Sequence, residues 1–179
     1  MNITIIPATN RSGAKSLALA KLVAEDHRAL GASVDLMELI LGPEFLADTA
    51  YKNPTPGIKG FVDRFLASDG VVFVVPEYNG SFPGVLKLFI DMLPYPAGFD
   101  RRPCAFIGLG SGQFGGLRAV EHLQAVAGYR NAYQYPPRVF IAGIEKQLSA
   151  EGTLTDPKLA QRLKDQAAGF QQFVKAVRP

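Results

Sequence analysis

Residues Gly70–Pro76, GVVFVVP, are apolar at every position. A strand with one wet face alternates apolar and polar residues, and this segment does not. Both of its faces must be covered, which is the condition of a strand inside a parallel sheet flanked by helices. A parallel sheet also needs a crossover helix between successive strands. The rest of the chain must therefore alternate short β-rich runs with helical ones.

The sequence supplies that alternation. Asn2–Pro7 is a β-branched run ending at a proline. Ser16–Leu30 carries Leu19, Leu22, Val23 and Leu30 at helical spacing, with Gly31 placed to end the helix. Ser33–Leu39 alternates weakly and reads as a second strand. Leu41–Gly57 contains Pro43, Pro54 and Pro56 and reads mostly as loop. Ile58, Phe61, Val62, Phe65 and Leu66 form the next helical stripe. After Gly70–Pro76, Pro83–Leu93 returns to helix with Val85, Leu86, Phe89, Ile90 and Leu93 inward. Pro103–Leu109 is a fourth strand, Leu117–Ala127 a helix and Arg138–Ala142 a fifth strand. Asp156 caps a last helix with Pro157 at its first position and Leu159, Leu163, Phe170, Val174 and Val177 along one side. Gly169 inside it costs on the order of 1 kcal/mol relative to alanine. Five strands and five helices predict an α/β, doubly wound, five-stranded parallel sheet. The 179 residues fit one domain, and no repeat or low-complexity segment interrupts them.

Several classes are excluded early. One cysteine, Cys104, rules out a disulfide scaffold, and with two histidines it leaves too few ligands for a structural zinc site. No apolar run approaches the roughly 20 residues of a membrane span. A net charge of +3 without a basic tail gives no stripe for nucleic acid. Met1–Ala8 lacks a basic leader, so the reading is an intracellular, cytoplasmic protein without a membrane partner.

Ligands of such sheets bind beyond the carboxyl ends of the strands. Three strand-to-helix loops there are unusual. The first, Ala8–Ser16 (ATNRSGAKS), offers hydroxyls, the Arg11 guanidinium and free N–H groups at a helix start, a set suited to a phosphate. It is not a Walker loop, because Ala14 precedes Lys15. Equally, Ser16 could simply cap the helix. The second, Pro76–Gly84 (PEYNGSFPG), combines Tyr78 and Phe82 with Asn79 and two glycines, Gly80 and Gly84. It fits a flat ligand approached by backbone, or else an ordinary Asn-Gly turn. The third, Gly110–Gly116 (GSGQFGG), satisfies G-x-G-x-x-G, but after the fourth strand rather than the first. It reads as backbone close to a ligand or as a surface loop, and not as a dinucleotide fingerprint.

The cleft shows no obvious acid, base or nucleophile. There is no G-x-S-x-G elbow and no H-E-x-x-H. His27 reads as exposed, His122 as packed or solvated, Cys104 as a core thiol and Asp91 as a solvated or contact residue. A cleft without its own reactive groups suits a cofactor that carries the chemistry.

Pro76–Lys87 (PEYNGSFPGVLK), followed by Ile90-Asp91, resembles the NADPH-dependent FMN reductase family, as does Gly115-Gly116-Leu117-Arg118-Ala119 after the third loop. The first loop is similar through Arg11 and Ser16, with Ala8-Thr9 where the family has Gly-Ser, and Met92 stands where it often has tryptophan. The resemblance implies a flavodoxin-like fold with strand order 2-1-3-4-5 and helices on both faces. It implies FMN as cofactor and NADPH or NADH as donor. The phosphate would be held by Thr9, Arg11, Ser16 and the Leu17 backbone. Pro76, Glu77, Tyr78, Asn79 and Gly80 would line the ribityl chain and ring, and Ser111, Gly112, Gln113 and Gly115 would close over them. The implied activity passes hydride from NAD(P)H to flavin and then to a quinone, flavin, azo or metal-oxyanion acceptor by ping-pong turnover, in a homodimer or homotetramer. Two alternatives stay open: a flavodoxin-type electron carrier, disfavoured by the positive charge, and a flavin-free NAD(P)-binding enzyme.

Overall fold

A computed structural model describes residues 1–149 and 151–178. The long strands are β1 (Asn2–Pro7), β2 (Ser33–Leu36), β3 (Gly70–Pro76) and β4 (Pro103–Gly110). They form a parallel sheet in the order β2-β1-β3-β4, with β5 (Tyr133–Gln134) and β6 (Val139–Ala142) both paired to the far side of β4. With that fifth position counted once, the order is 2-1-3-4-5, the flavodoxin-like winding. The chain changes direction across the sheet between β1 and β3.

The all-apolar run is explained by its neighbours. Val71, Phe73 and Val75 point into one core with Phe65, Phe89, Phe99, Phe106 and Leu123. Val72 and Val74 point into the other, with Ile3, Ile5, Leu19, Ile107 and Phe170. Helices α2 (Pro56–Leu66), α3 (Gly84–Met92) and α4 (Leu117–Tyr129) cover the first face. Helices α1 (Lys15–Ala29) and α6 (Pro157–Val177) cover the second. A four-residue helix, α5 (Ile144–Gln147), follows β6, and a short 3-10 turn, Pro43–Leu46, lies in the long loop after β2.

The structure corrects the sequence reading in several places. The fifth strand is two pieces, because Pro136 and Pro137 have no N–H to give β4. The carbonyl of Phe106, on β4, is satisfied from elsewhere: Gln166 Nε2 donates to it at 3.1 Å and to Pro137 O at 3.0 Å. Strand β2 ends at Leu36, and Thr55 caps α2 by accepting from Ile58 N–H at 3.3 Å. His27 is buried at 1% exposure rather than exposed. The inward stripe of α1 is Leu19, Ala20, Val23, Ala24 and His27, and Leu30 is outside it. Gln171 of α6 donates to His27 O and lies 3.2 Å from His27 Nδ1. Gly169 has a reason to lack a side chain, since its Cβ would collide with the Tyr135 hydroxyl.

Candidate functional site

The loops after β1, β3 and β4 meet at the carboxyl end of the sheet, beside the switch point between β1 and β3. They enclose two adjoining hollows of about 250 and 260 Å³ that share Glu77, Gly110 and Ser111. Together these fall in the size range of a site for a cofactor or other small molecule.

The hollow on the first-loop side is lined by Arg11, Ser12, Gly13, Lys15, Tyr78 and Glu145, among others. Helix α1 begins at Lys15, so this hollow sits on its first turn, where Leu17 and Ala18 N–H donate to Ala14 O and the N–H groups ahead of them precede any helical carbonyl. The first residue before the helix is Ala14, which offers no side-chain cap. Ser16 is not the cap. It is 2% exposed, and its Oγ has no hydrogen-bond partner among the described residues. A buried hydroxyl left so costs about 1–3 kcal/mol, a cost that a ligand oxygen at the helix start would relieve. Thr9, 5% exposed, holds the first loop to the second: its Oγ1 lies 3.0 Å from the Tyr78 hydroxyl and accepts from Arg11 N–H at 3.3 Å. The Arg11 guanidinium lies 5.7 Å from the centre of the Tyr78 ring.

The second loop turns tightly. Tyr78 N–H donates to Ser81 O at 2.8 Å, and Ser81 N–H donates to Tyr78 O at 3.0 Å. Asn79 and Gly80 between them have φ of 51° and 76°, the double left-handed conformation of a two-residue hairpin. A Cβ at Gly80 would meet no atom of the described residues within 4 Å beyond its chain neighbours, so the turn presents bare backbone to open space. His122, on α4, braces this turn through Nδ1 at 3.0 Å from Ser81 Oγ.

The third loop is drawn against the sheet by Gly116. Its φ is 85°, and a Cβ there would sit 2.6 Å from Leu109 N. That close return leaves Gly110, Ser111, Gly112, Phe114 and Gly115 along the second hollow with Asn79 and Gly80. Arg118 stands at its edge, 4.8 Å from the Phe114 ring centre and 3.5 Å from Glu77 Oε1. Across the first hollow, Ser111 Oγ donates to Glu145 Oε1. That bond, its own backbone N–H and the charge of Lys15 hold the Glu145 carboxyl below the usual range.

Of the residues anticipated from the sequence, Arg11, Glu77, Tyr78, Asn79, Gly80, Ser111, Gly112 and Gly115 line the hollows. Thr9, Ser16 and Pro76 are buried beneath them. Gln113 is exposed and outside the lining. The Leu17 N–H donates to Ala14 O at 3.0 Å, and its side chain faces a separate hollow with Lys21 and Glu151. Lys15, Arg118 and Glu145 were not anticipated. Glu145 follows the fifth strand, so the rule that ligands gather at strand carboxyl ends pointed to it as well. Cys104 is a core thiol, fully buried, and burial pushes it up to about 12. Asp91 is paired with Lys87 at 2.6 Å.

Known proteins resemble this chain in sequence and fold. An NAD(P)H-dependent FMN reductase of Pseudomonas aeruginosa is 30% identical over 151 residues, 83% of this chain and 82% of that protein. A 2-hydroxy-1,4-benzoquinone reductase of a Burkholderia species is 31% identical over 142 residues, 76% of this chain and 74% of that protein. Among solved structures, the flavoenzyme NAD(P)H:(acceptor) oxidoreductase FerB of Paracoccus denitrificans superposes with a TM-score of 0.84 at 24% identity, covering 98% of this chain and 97% of its own. The sequence profile of the NADPH-dependent FMN reductases matches residues 1–147, all three loops included, and the chain belongs to that family.

Proposed function

We propose that this protein is an FMN-dependent NAD(P)H oxidoreductase that reduces a small acceptor, donor and acceptor binding in turn. One observation carries the reading. Three loops from three neighbouring strands meet in a single cleft that has a buried hydroxyl, Ser16, unpartnered among the described residues, at its helix end and bare backbone, Gly80 and Gly112, at its other end. The residues present therefore fit a flat, phosphorylated group. Bound there, FMN supplies hydride acceptance from a nicotinamide and onward delivery to a second substrate.

The chain's own residues bind and orient. Arg11, Thr9, Ser16 and the free N–H groups of the first turn of α1 hold the phosphate. The Arg11 guanidinium offers paired donors, which suits a phosphate better than a lone hydroxyl. Pro76, Glu77, Tyr78, Asn79 and Gly80 flank the ribityl chain and ring, with the Asn79–Gly80 turn giving close approach without a side chain. Ser111, Gly112, Gln113 and Gly115 close over the other side. A quinone is the acceptor class to try first, because one relative is a hydroxybenzoquinone reductase. A dimer or tetramer is the assembly expected.

The test is an absorbance spectrum after incubation with FMN and gel filtration, then NADPH addition under argon. Flavin bands that bleach on NADPH and return on adding a quinone support the reading. Parallel double-reciprocal lines support alternating binding. A protein that stays colourless refutes the flavin site, and turnover no faster than that of free FMN indicates an electron carrier instead.

A further inference from the structure

The hollow over the first turn of α1 is lined by two cations, Arg11 and Lys15, and by two carboxylates, Glu77 and Glu145. Glu77 is paired with Arg118 at 3.5 Å, which leaves Glu145 as the carboxylate facing the two cations. Glu145 reaches this hollow from α5, after the fifth strand, and belongs to none of the three loops that form the cleft. Its carboxylate is exposed to solvent and is turned toward the third loop, where Ser111 Oγ donates to it. Lys15 lies close enough to favour its charged form, so each partly cancels the other's field.

We propose that Glu145 is an affinity-setting residue, a negative charge beside the phosphate end of the cleft that keeps FMN exchangeable between protein and solution. The proposal rests on the reading that the FMN phosphate lies at Arg11 and the α1 start. Its physical content is Coulombic: an ionised carboxylate both repels a phosphate dianion and occupies Lys15, which would otherwise add attraction. Riboflavin has the same ring and ribityl chain without the phosphate, so Glu145 discriminates between the two flavins in the unusual direction, against the charged one. The effect is carried by exposed charges and is screened by salt.

Equilibrium binding of FMN and of riboflavin, followed by quenching of flavin fluorescence, tests this with the wild type, Glu145→Gln and Arg11→Ala. Glu145 is exposed, so the amide variant keeps the fold. Glu145→Gln is expected to tighten FMN on the order of threefold to tenfold at low ionic strength, to slow FMN release, and to leave riboflavin unchanged. Most of the gain should vanish in about 0.5 M salt. Equal tightening of both flavins, or no change for FMN while Arg11→Ala weakens it, overturns the role of Glu145 alone. An Arg11→Ala protein that binds FMN as the wild type does overturns the phosphate placement beneath it.

Discussion

The hydroxyls of Thr9 and Tyr78 lie 3.0 Å apart, which ties the loop after β1 to the loop after β3 across the switch point of the sheet. The pairing of β1 with β3 brings the two loops together, and this bond and the Arg11 contact with the Tyr78 ring link them beyond the strands. Thr9→Val and Tyr78→Phe each remove one side of the pair. Each is expected to cost about 1 kcal/mol of stability and to weaken flavin binding. In urea unfolding the double variant should lose less than the sum of the singles, because both report one contact. Fully additive losses would mean that the two hydroxyls do not act on each other.

Arg11→Ala is expected to weaken FMN about tenfold, the low end for a charge-assisted bond because Arg11 is exposed. Riboflavin binding should hardly change. Titration of flavin fluorescence reads both, and equal losses for the two flavins would place Arg11 at the ring instead of the phosphate.

Gly80 is open on its Cβ side and has φ of 76°. Gly80→Val strains the backbone by about 1–3 kcal/mol and fills the space where the ring is placed. Gly80→Asn tolerates the same φ, so it separates the two effects. We expect the asparagine variant to melt near the wild type and still to load flavin poorly. Full loading of that variant would remove the ring from this turn.

Burial lowers the pKa of His27 to about 4, against an ordinary value of 6.5. The folded state therefore binds fewer protons than the unfolded state between these values. Stability contributed by neutral His27 is intact above pH 6.5 and is lost as the pH falls through 4. The slope is at most about 1.4 kcal/mol per pH unit. Calorimetric melting from pH 7 to 4 should show this fall, and His27→Gln should flatten it. An unchanged slope in that variant would assign the acid sensitivity to carboxylates elsewhere.

Cys104 sits in β4 with no exposed surface and a thiol pushed up to about 12. A thiol-specific disulfide reagent should label the native protein only as fast as it unfolds, and should label it at once in guanidinium. Rapid native labelling would mean that β4 opens locally.

Gly70–Pro76 announced the sheet, because only a strand covered on both faces can afford seven apolar residues in a row. The three loops were legible because hydroxyls, glycines and an arginine gathered at strand ends suit a bound ligand better than an apolar core. What could not be read depended on contacts distant in sequence. His27 looked like part of a polar helix face until Gln171, 144 residues away, supplied its partner. Glu145 looked like an unremarkable charge until β6 paired with the far end of β4 and brought it to Ser111. Ser16 resembled a helix cap because a cap and an anion ligand use the same residue types at the same place. The distinction rests on where the hydroxyl points, and that is fixed only when α1 packs on the sheet.

Pro136 and Pro137 interrupt the outermost position of the sheet, and Gln166 takes up the carbonyl that they leave on β4. An outer strand with a continuous row of N–H groups is a template on which other chains can add strands and aggregate. Here the row is broken in the middle and its two remnants are two and four residues long. That border therefore gives a neighbouring copy no continuous main-chain ladder on which to extend the sheet.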